Sequence, residues 1–187
     1  MCRLRAGFGY SQGCFAHKNR KEKIPIMKKI TVLALSLVLL LSAAGCSRSS
    51  FNNAKDKTFS KDSISIVLTT AFAEKEQDIY TAVYDSVRAA VYIQKEEFEL
   101  AEGFSDLSLQ EYAQLVIDNN GIDSEISGID GLTYFVYERE SEGKTGKTRA
   151  CVYKSDDAFW LIHFACDIKD YDGLSESITK WAKSVEF

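Results

Sequence analysis

Hydrophobic positions are arranged in this chain in several distinct periods, and each period predicts a different element. Residues 30–41 form a continuous apolar run interrupted only by Thr31 and Ser36. Residues 63–68 alternate and then turn fully apolar, which predicts a strand. Val87, Ala89, Val91 and Ile93 alternate with Arg88, Ala90, Tyr92 and Gln94, again the period of a strand. Residues 74–84 give no clear period, and the acidic stretch 96–106 reads as a loop. From residue 108 the period changes. Leu109, Tyr112, Ala113, Val116 and Ile117 recur at the spacing of one helix face. Ser108 and Glu111 supply a capping box at the start, and Asn119-Asn120-Gly121 a stop.

Four strand-like segments follow, at residues 125–129, 132–139, 148–154 and 159–167. Turn residues separate them at Asp130-Gly131, 141–146 and Ser155-Asp156-Asp157. Short strands with such turns predict an antiparallel meander. The last segment, FWLIHFAC, is apolar on both sides. Phe159, Leu161 and Ala165 share one side; Trp160, Ile162, Phe164 and Cys166 share the other. A strand of that kind is central in its sheet and covered on both faces. A closing helix, capped by Asp170 or Asp172, presents Tyr171, Leu174, Ile178, Trp181 and Val185 as one cover, with Glu176 and Lys180 as an i, i+4 pair. The helix at 108–120 is the cover for the opposite face. The predicted class is α+β, a mainly antiparallel sheet sandwiched by helices.

The apolar run at 30–41 belongs to a different kind of segment. Read from Met27, MKKITVLALSLVLLLSAAGC has a basic start at Lys28 and Lys29, a twelve-residue apolar run, and the small residues Ser42 to Gly45 before Cys46. That is the order of a secretory signal. The run falls short of the roughly 20 residues that span a bilayer. The stretch resembles the lipobox of bacterial lipoproteins, with Ala43-Ala44-Gly45 as its small residues. Leu, common three residues before the cysteine, is replaced here by Ala43. The resemblance implies cleavage before Cys46, a diacylglyceryl thioether on its sulfur with palmitate-type acyl chains, and a place on the extracytoplasmic face of a bacterial cell membrane. Residues 1–26 have no period and no caps. They carry six basic residues against the single acid Glu22. Translation is expected to start at Met27, with 1–26 an upstream leader; the competing reading is a long basic n-region. The domain plan is therefore leader 1–26, signal 27–45, polar tether 46–57 and one domain over 58–187.

Charge narrows the function. Residues 1–45 hold eight of the 23 basic and one of the 27 acidic residues. The chain from Cys46 thus carries 15 basic and 26 acidic residues, a net of −11. Such a domain is repelled by nucleic acid and by anionic head groups.

The strand SISIVL, the helix SLQEYAQLV, the meander, and the terminal FWLIHFACDIKDYDGLSESITKWAKSVEF together resemble the PsbP-like superfamily. That group includes an extrinsic photosystem II protein, a Ran-binding import factor and small bacterial lipoproteins. The aromatic strand, the Asp170-Tyr171 turn, the amphipathic helix and a short terminal strand at 184–187 carry the likeness most clearly. It implies an α/β/α sandwich used for protein contacts, usually without catalysis. No binding residue is carried over by it.

Several stretches imitate functional motifs. EGKTGKT, residues 142–148, contains GKT twice, but the glycine that a P-loop needs five residues earlier is absent, with Glu138 and Ser141 in those places. It reads as a solvated hairpin loop. DIKDYDG, residues 167–173, imitates a calcium loop. With Gly173 at the sixth position, Ile168 and Thr179 stand where the first and the bidentate ligand belong. Helix capping explains these acids. His163 lies in the most apolar strand, away from any nucleophile motif, and reads as a buried, hydrogen-bonded histidine. If Asp156-Asp157 is a two-residue turn, Cys151 lies opposite Ile162, and Cys166 is about 13 Å away at strand rise. A disulfide needs Cα atoms within about 7 Å, so two free thiols are expected. No metal, cofactor or catalytic residue is implied. The expected function is that of a membrane-anchored domain, held through Cys46, that binds a protein or another envelope component. The alternatives are a small-ligand carrier with a pocket between sheet and helix, and a hydrolase using His163.

Overall fold

The computed structural model describes residues 51–141 and 143–187. Nine strands and two α-helices make up this region. In order they are β1 (Asp56–Lys61), β2 (Ile64–Thr69), β3 (Ala73–Lys75), β4 (Ala82–Asp85), β5 (Ala89–Glu97), α1 (Leu109–Asn120), β6 (Ile126–Ile129), β7 (Leu132–Ser141), β8 (Lys144–Lys154), β9 (Ala158–Asp167) and α2 (Ile168–Lys183). Strands β3 to β9 form one antiparallel sheet in the order β3-β4-β5-β9-β8-β7-β6. Strands β1 and β2 form a separate two-stranded sheet. The fold class is α+β, as the periodicity predicts.

β9 is central, between β5 and β8, and every residue from Ala158 to Cys166 is buried. Its two sides meet different covers. Trp160, Ile162, Phe164 and Cys166 pack with Leu174, Ile178 and Trp181 of α2 and with Phe59, Ile64, Ile66 and Leu68 of the β1–β2 hairpin. Phe159 and Leu161 pack with Tyr112, Ala113, Val116 and Ile117 of α1. The helices therefore cover opposite faces, and on the α2 side a hairpin shares the task.

Local chemistry sets the helix ends. Ser108 accepts a hydrogen bond from the Glu111 amide while the Glu111 carboxylate accepts from the Ser108 amide, which completes the capping box. Gly121 ends α1 at φ 59°, a left-handed value that glycine adopts without steric cost, and Ile122 N–H returns to the Ile117 carbonyl. α2 starts earlier than the sequence pattern places it. Asp167 is its N-cap, accepting from Lys169 N–H, and Asp170 lies in the first turn, 3.1 Å from Arg88. Burial of Leu174 and Ile178 then contributes about 1.5–3 kcal/mol each.

Other boundaries also move. Residues 144–147, left outside the strand by the sequence pattern, are the start of β8, which pairs back to Ser141 across a turn containing Gly143 at φ 72°. Glu96 and Glu97 extend β5, and residues beyond them form two single-turn 3-10 helices, Phe98–Leu100 and Phe104–Asp106. The unassigned stretch 74–84 contains the end of β3 and the start of β4. Residues 51–57, placed in the tether by their polarity, pack with the domain, while 46–50 lie outside the described residues. Phe51 is 7% exposed and meets Phe72 and Trp181, and Asp56 already belongs to β1. A domain edge chosen by polarity missed this, because one aromatic among polar residues gives no period. Lys180 bonds Asp56 at 2.8 Å rather than Glu176, since the hairpin brings that carboxylate beside the helix. The terminal strand reduces to one bridge, Glu186 to Ser65.

Candidate functional site

The residues singled out for chemistry are found mostly in the interior. His163 has no exposed surface. It faces the α1 side with Leu161 and Ala165, opposite Tyr92 on β5 and Ala150 on β8. Its Nδ1 lies 3.2 Å from the Tyr137 hydroxyl, and its Nε2 has no partner among the described residues. Burial, aided by the Arg139 charge, lowers its pKa to about 3. The ring is neutral at ordinary pH, and no carboxylate or serine bonds it among the described residues. A general base needs access to substrate and a pKa near the working pH; this imidazole has neither.

Cys151 and Cys166 are both free and buried. Cys151 pairs in register with Ile162, as the two-residue turn predicts, and Cys166 pairs with Lys147. Burial pushes the Cys151 thiol up to about 12 and Cys166 to about 11. Thiols held in that state are poor nucleophiles. Of the concentrated aromatics, Phe135, Tyr137, Phe159 and Trp160 are buried and Tyr134 and Tyr153 half-buried, so they form core rather than an exposed patch. The acids of residues 167–173 cap and begin α2. Among the described residues no group of His, Cys, Asp or Glu is placed to hold a metal ion. Cys46 and the signal segment lie outside the described residues.

What the sequence did not point to is a cleft. A cavity of about 500 Å³ opens between the loop that follows α1 and the outer edge of β7, lined by Asn120, Asp123, Tyr137, Glu138, Arg139 and Lys147 among others. Its floor connects to the interior, because Tyr137 both lines it and bonds His163. The cleft exists because β6 is short. β6 covers β7 only from Leu132 to Phe135. Ser124 then takes over at Val136, donating to its carbonyl at 2.8 Å and accepting from its amide at 3.3 Å. Beyond that point the outer edge of β7 pairs with no described strand. Glu138 holds Lys147 at 3.0 Å across the β7–β8 ladder. The only signal available in the sequence was the Asn-Asn-Gly stop followed by a strand shorter than its neighbour.

A second cavity, of about 310 Å³, lies beside Phe51 under α2, with Arg88, Asp56 and Lys180 on its walls. The Arg88–Asp170 pair and the Lys180–Asp56 pair already engage its charges.

Among the described residues Arg149 is the one buried Lys, Arg, Asp or Glu, 6% exposed, on the α2 face. It donates to hydroxyls: Nε to Tyr171 at 3.3 Å, Nη1 to Thr179 at 2.7 Å, Nη2 to Ser175 at 2.9 Å. The guanidinium also lies 5.0 Å from the Tyr134 ring centre. It ties α2 to β8.

No family model matches the chain, and no curated protein matches its sequence. Similar solved structures include the cyanobacterial PsbP, CyanoP, of Synechocystis sp. PCC 6803, at TM-score 0.47 and 12% identity over 77% of this chain and 98% of that one. The Ran-binding protein Mog1p of Saccharomyces cerevisiae is similar at TM-score 0.47 and 9% identity, over 71% and 95%. LpqN of Mycobacterium tuberculosis, described as involved in cell envelope biogenesis, is similar at TM-score 0.41 and 10% identity, over 72% and 91%. Likeness at this level assigns no activity or partner.

Proposed function

We propose that this chain is a lipid-anchored, extracytoplasmic binding domain, held to a bacterial membrane through Cys46, that engages a protein or other envelope component at the cleft beside β7. One observation carries the reading. The cleft is where a sizeable cavity, charged side chains and an unpaired strand edge coincide, whereas the titratable groups of the core are sealed. A non-catalytic role follows from the same contrast: the chain's buried imidazole and thiols are out of reach. The volume also lies within the roughly 300–1,000 Å³ of small-molecule pockets, which supports a small polar ligand as the second reading.

Two measurements test it. Cys46→Ala is expected to leave the domain folded while abolishing lipid labelling and membrane retention; normal labelling and retention would sink the anchor. A photo-crosslinking residue at Asp123, in the cleft, is expected to capture a discrete envelope partner in growing cells, while the same residue at the exposed Glu176 of α2 does not. Equal capture at both positions, or none at Asp123, removes the cleft from the argument.

A further inference from the structure

We infer that the open edge of β7 takes an added strand from a basic, extended polypeptide, pairing with the backbone of Glu138 and Glu140. This deepens the binding reading above and rests on it.

The backbone geometry comes first. In an antiparallel ladder the N–H and C=O of one residue point to the same side, and the side alternates along the strand. Leu132 closes the Asp130-Gly131 turn toward β6, and Val136 gives both backbone groups to Ser124. Even-numbered positions of β7 therefore point outward. The next two are Glu138 and Glu140. Neither amide has a hydrogen-bond partner on that side among the described residues. Ser124 shows what the edge accepts, since one hydroxyl supplies Val136 with the donor and acceptor that a strand would bring.

Charge selects the occupant. Glu138 and Glu140 are exposed and share one face of the edge. Asp123 lines the cleft, and α1 ends there with no basic residue in its own last turn, so Arg139 of β7 is the cation that lines the cleft with them. Lys147 offsets Glu138, and Arg139, on the Tyr137 side of the strand, faces Asp123 and the helix end across the cleft; the acidic side of the edge is the one that Glu138 and Glu140 share. A second copy of this chain is a poor occupant. Antiparallel pairing of two β7 edges about a two-fold axis sets Glu138 opposite Glu138 or Glu140 of the other copy, and like charges directly opposite are destabilising. Charged edges guard natural sheets in this way. The same charges favour a strand with lysine or arginine at alternate positions, and apolar or acidic residues at the positions between, where Tyr137 and Arg139 lie. Main-chain bonds would supply affinity and the alternate side chains specificity, as in strand addition generally.

The test uses the full chain in detergent micelles and a synthetic peptide of alternating lysine and valine, with a glutamate-for-lysine peptide as its counterpart. Residue-resolved amide exchange is the readout. With the lysine peptide at 100 times its Kd, exchange at the Glu138 and Glu140 amides is expected to slow about 100-fold. The glutamate peptide should give no protection there. Glu138→Lys combined with Glu140→Lys should reverse the preference between the two peptides; because it also sets a lysine opposite Lys147, a lowered melt is expected, and the peptides are compared at a temperature where the variant is folded. Binding of the lysine peptide with those amides unprotected overturns the edge pairing and leaves the binding domain standing. Protection that survives the double charge reversal overturns the charge argument, and absence of any lysine-peptide binding overturns the proposal. The Asp123 crosslink reports separately on the reading beneath it.

Discussion

One face of the seven-stranded sheet is sealed by two elements and the other by little more than one helix. On the α2 face, the helix and the β1–β2 hairpin meet over β9, and aromatic rings fill the join: Trp181 lies 5.2 Å from Phe72 and 6.3 Å from Phe51. Ser184 fastens the two covers together, accepting from the Val67 amide at 2.9 Å. On the other face, α1 stacks Tyr112 on Phe159 at 4.3 Å. Beside that stack, toward β4 and β5, Tyr80, Tyr92, Val83, Ala90 and Ala165 form a smaller cluster of their own. Polar groups collect on this face, at Thr133, Thr148, Tyr137 and His163, and the cleft opens at its margin. A face closed by two elements holds the fold; a face closed by one leaves a place to bind.

That contrast breaks most readily at Trp181, which is 3% exposed. Trp181→Ala is expected to cost about 3–5 kcal/mol, read as a lowered denaturation midpoint. An unchanged midpoint would mean that the hairpin and α2 do not depend on one another. Arg149 is the next largest. Arg149→Met keeps the stem but removes the donor to the Tyr171 and Ser175 hydroxyls, while Thr179 keeps its bond to the Ser175 carbonyl; it is expected to cost about 1–3 kcal/mol. Stability at or above wild type would show that these hydroxyls find other partners.

His163 sharpens the comparison through pH. Its imidazole binds a proton below about 6.5 in the unfolded chain, but only near pH 3 in the native fold. The unfolded state thus holds more protons between these values. Stability is expected to fall as pH drops from about 6.5 toward 3, by up to about 1.4 kcal/mol per pH unit from this group. His163→Gln should alter stability and remove this group's share of the slope, which is read most cleanly toward the upper end of the window because burial raises the Glu96 and Asp85 carboxyls at its acid end. Any peptide or partner binding by the folded variant should persist. A slope unchanged in the variant would place the pH dependence elsewhere, and a hydrolytic activity lost with it would restore the catalytic reading.

The smallest effect belongs to α1 alone. Ser108→Ala should cost about 1 kcal/mol by removing the capping box, with Ser108→Gly closer to wild type. Equal losses for both would point to packing rather than capping.

Much of this was determined by the sequence alone, because it depends on neighbours a few residues apart. The capping box, the glycine stop, the two-sided burial of β9 and the free cysteines all follow from local spacing. So does the Tyr153–Trp160 register, which a two-residue turn dictates. What needed the tertiary structure depends on contacts between distant segments. A strand period cannot say which strand is the partner, so β2 gave no sign that it pairs with β1 outside the main sheet. Polarity could not show that Phe51 joins Trp181, that Lys180 meets Asp56, or that a charged Arg149 is buried among hydroxyls. The cleft has the same origin. It arises where β6 stops short of the length of β7 and the chain after α1 stands beside the strand edge left open, and the difference in length matters only once the two strands are paired.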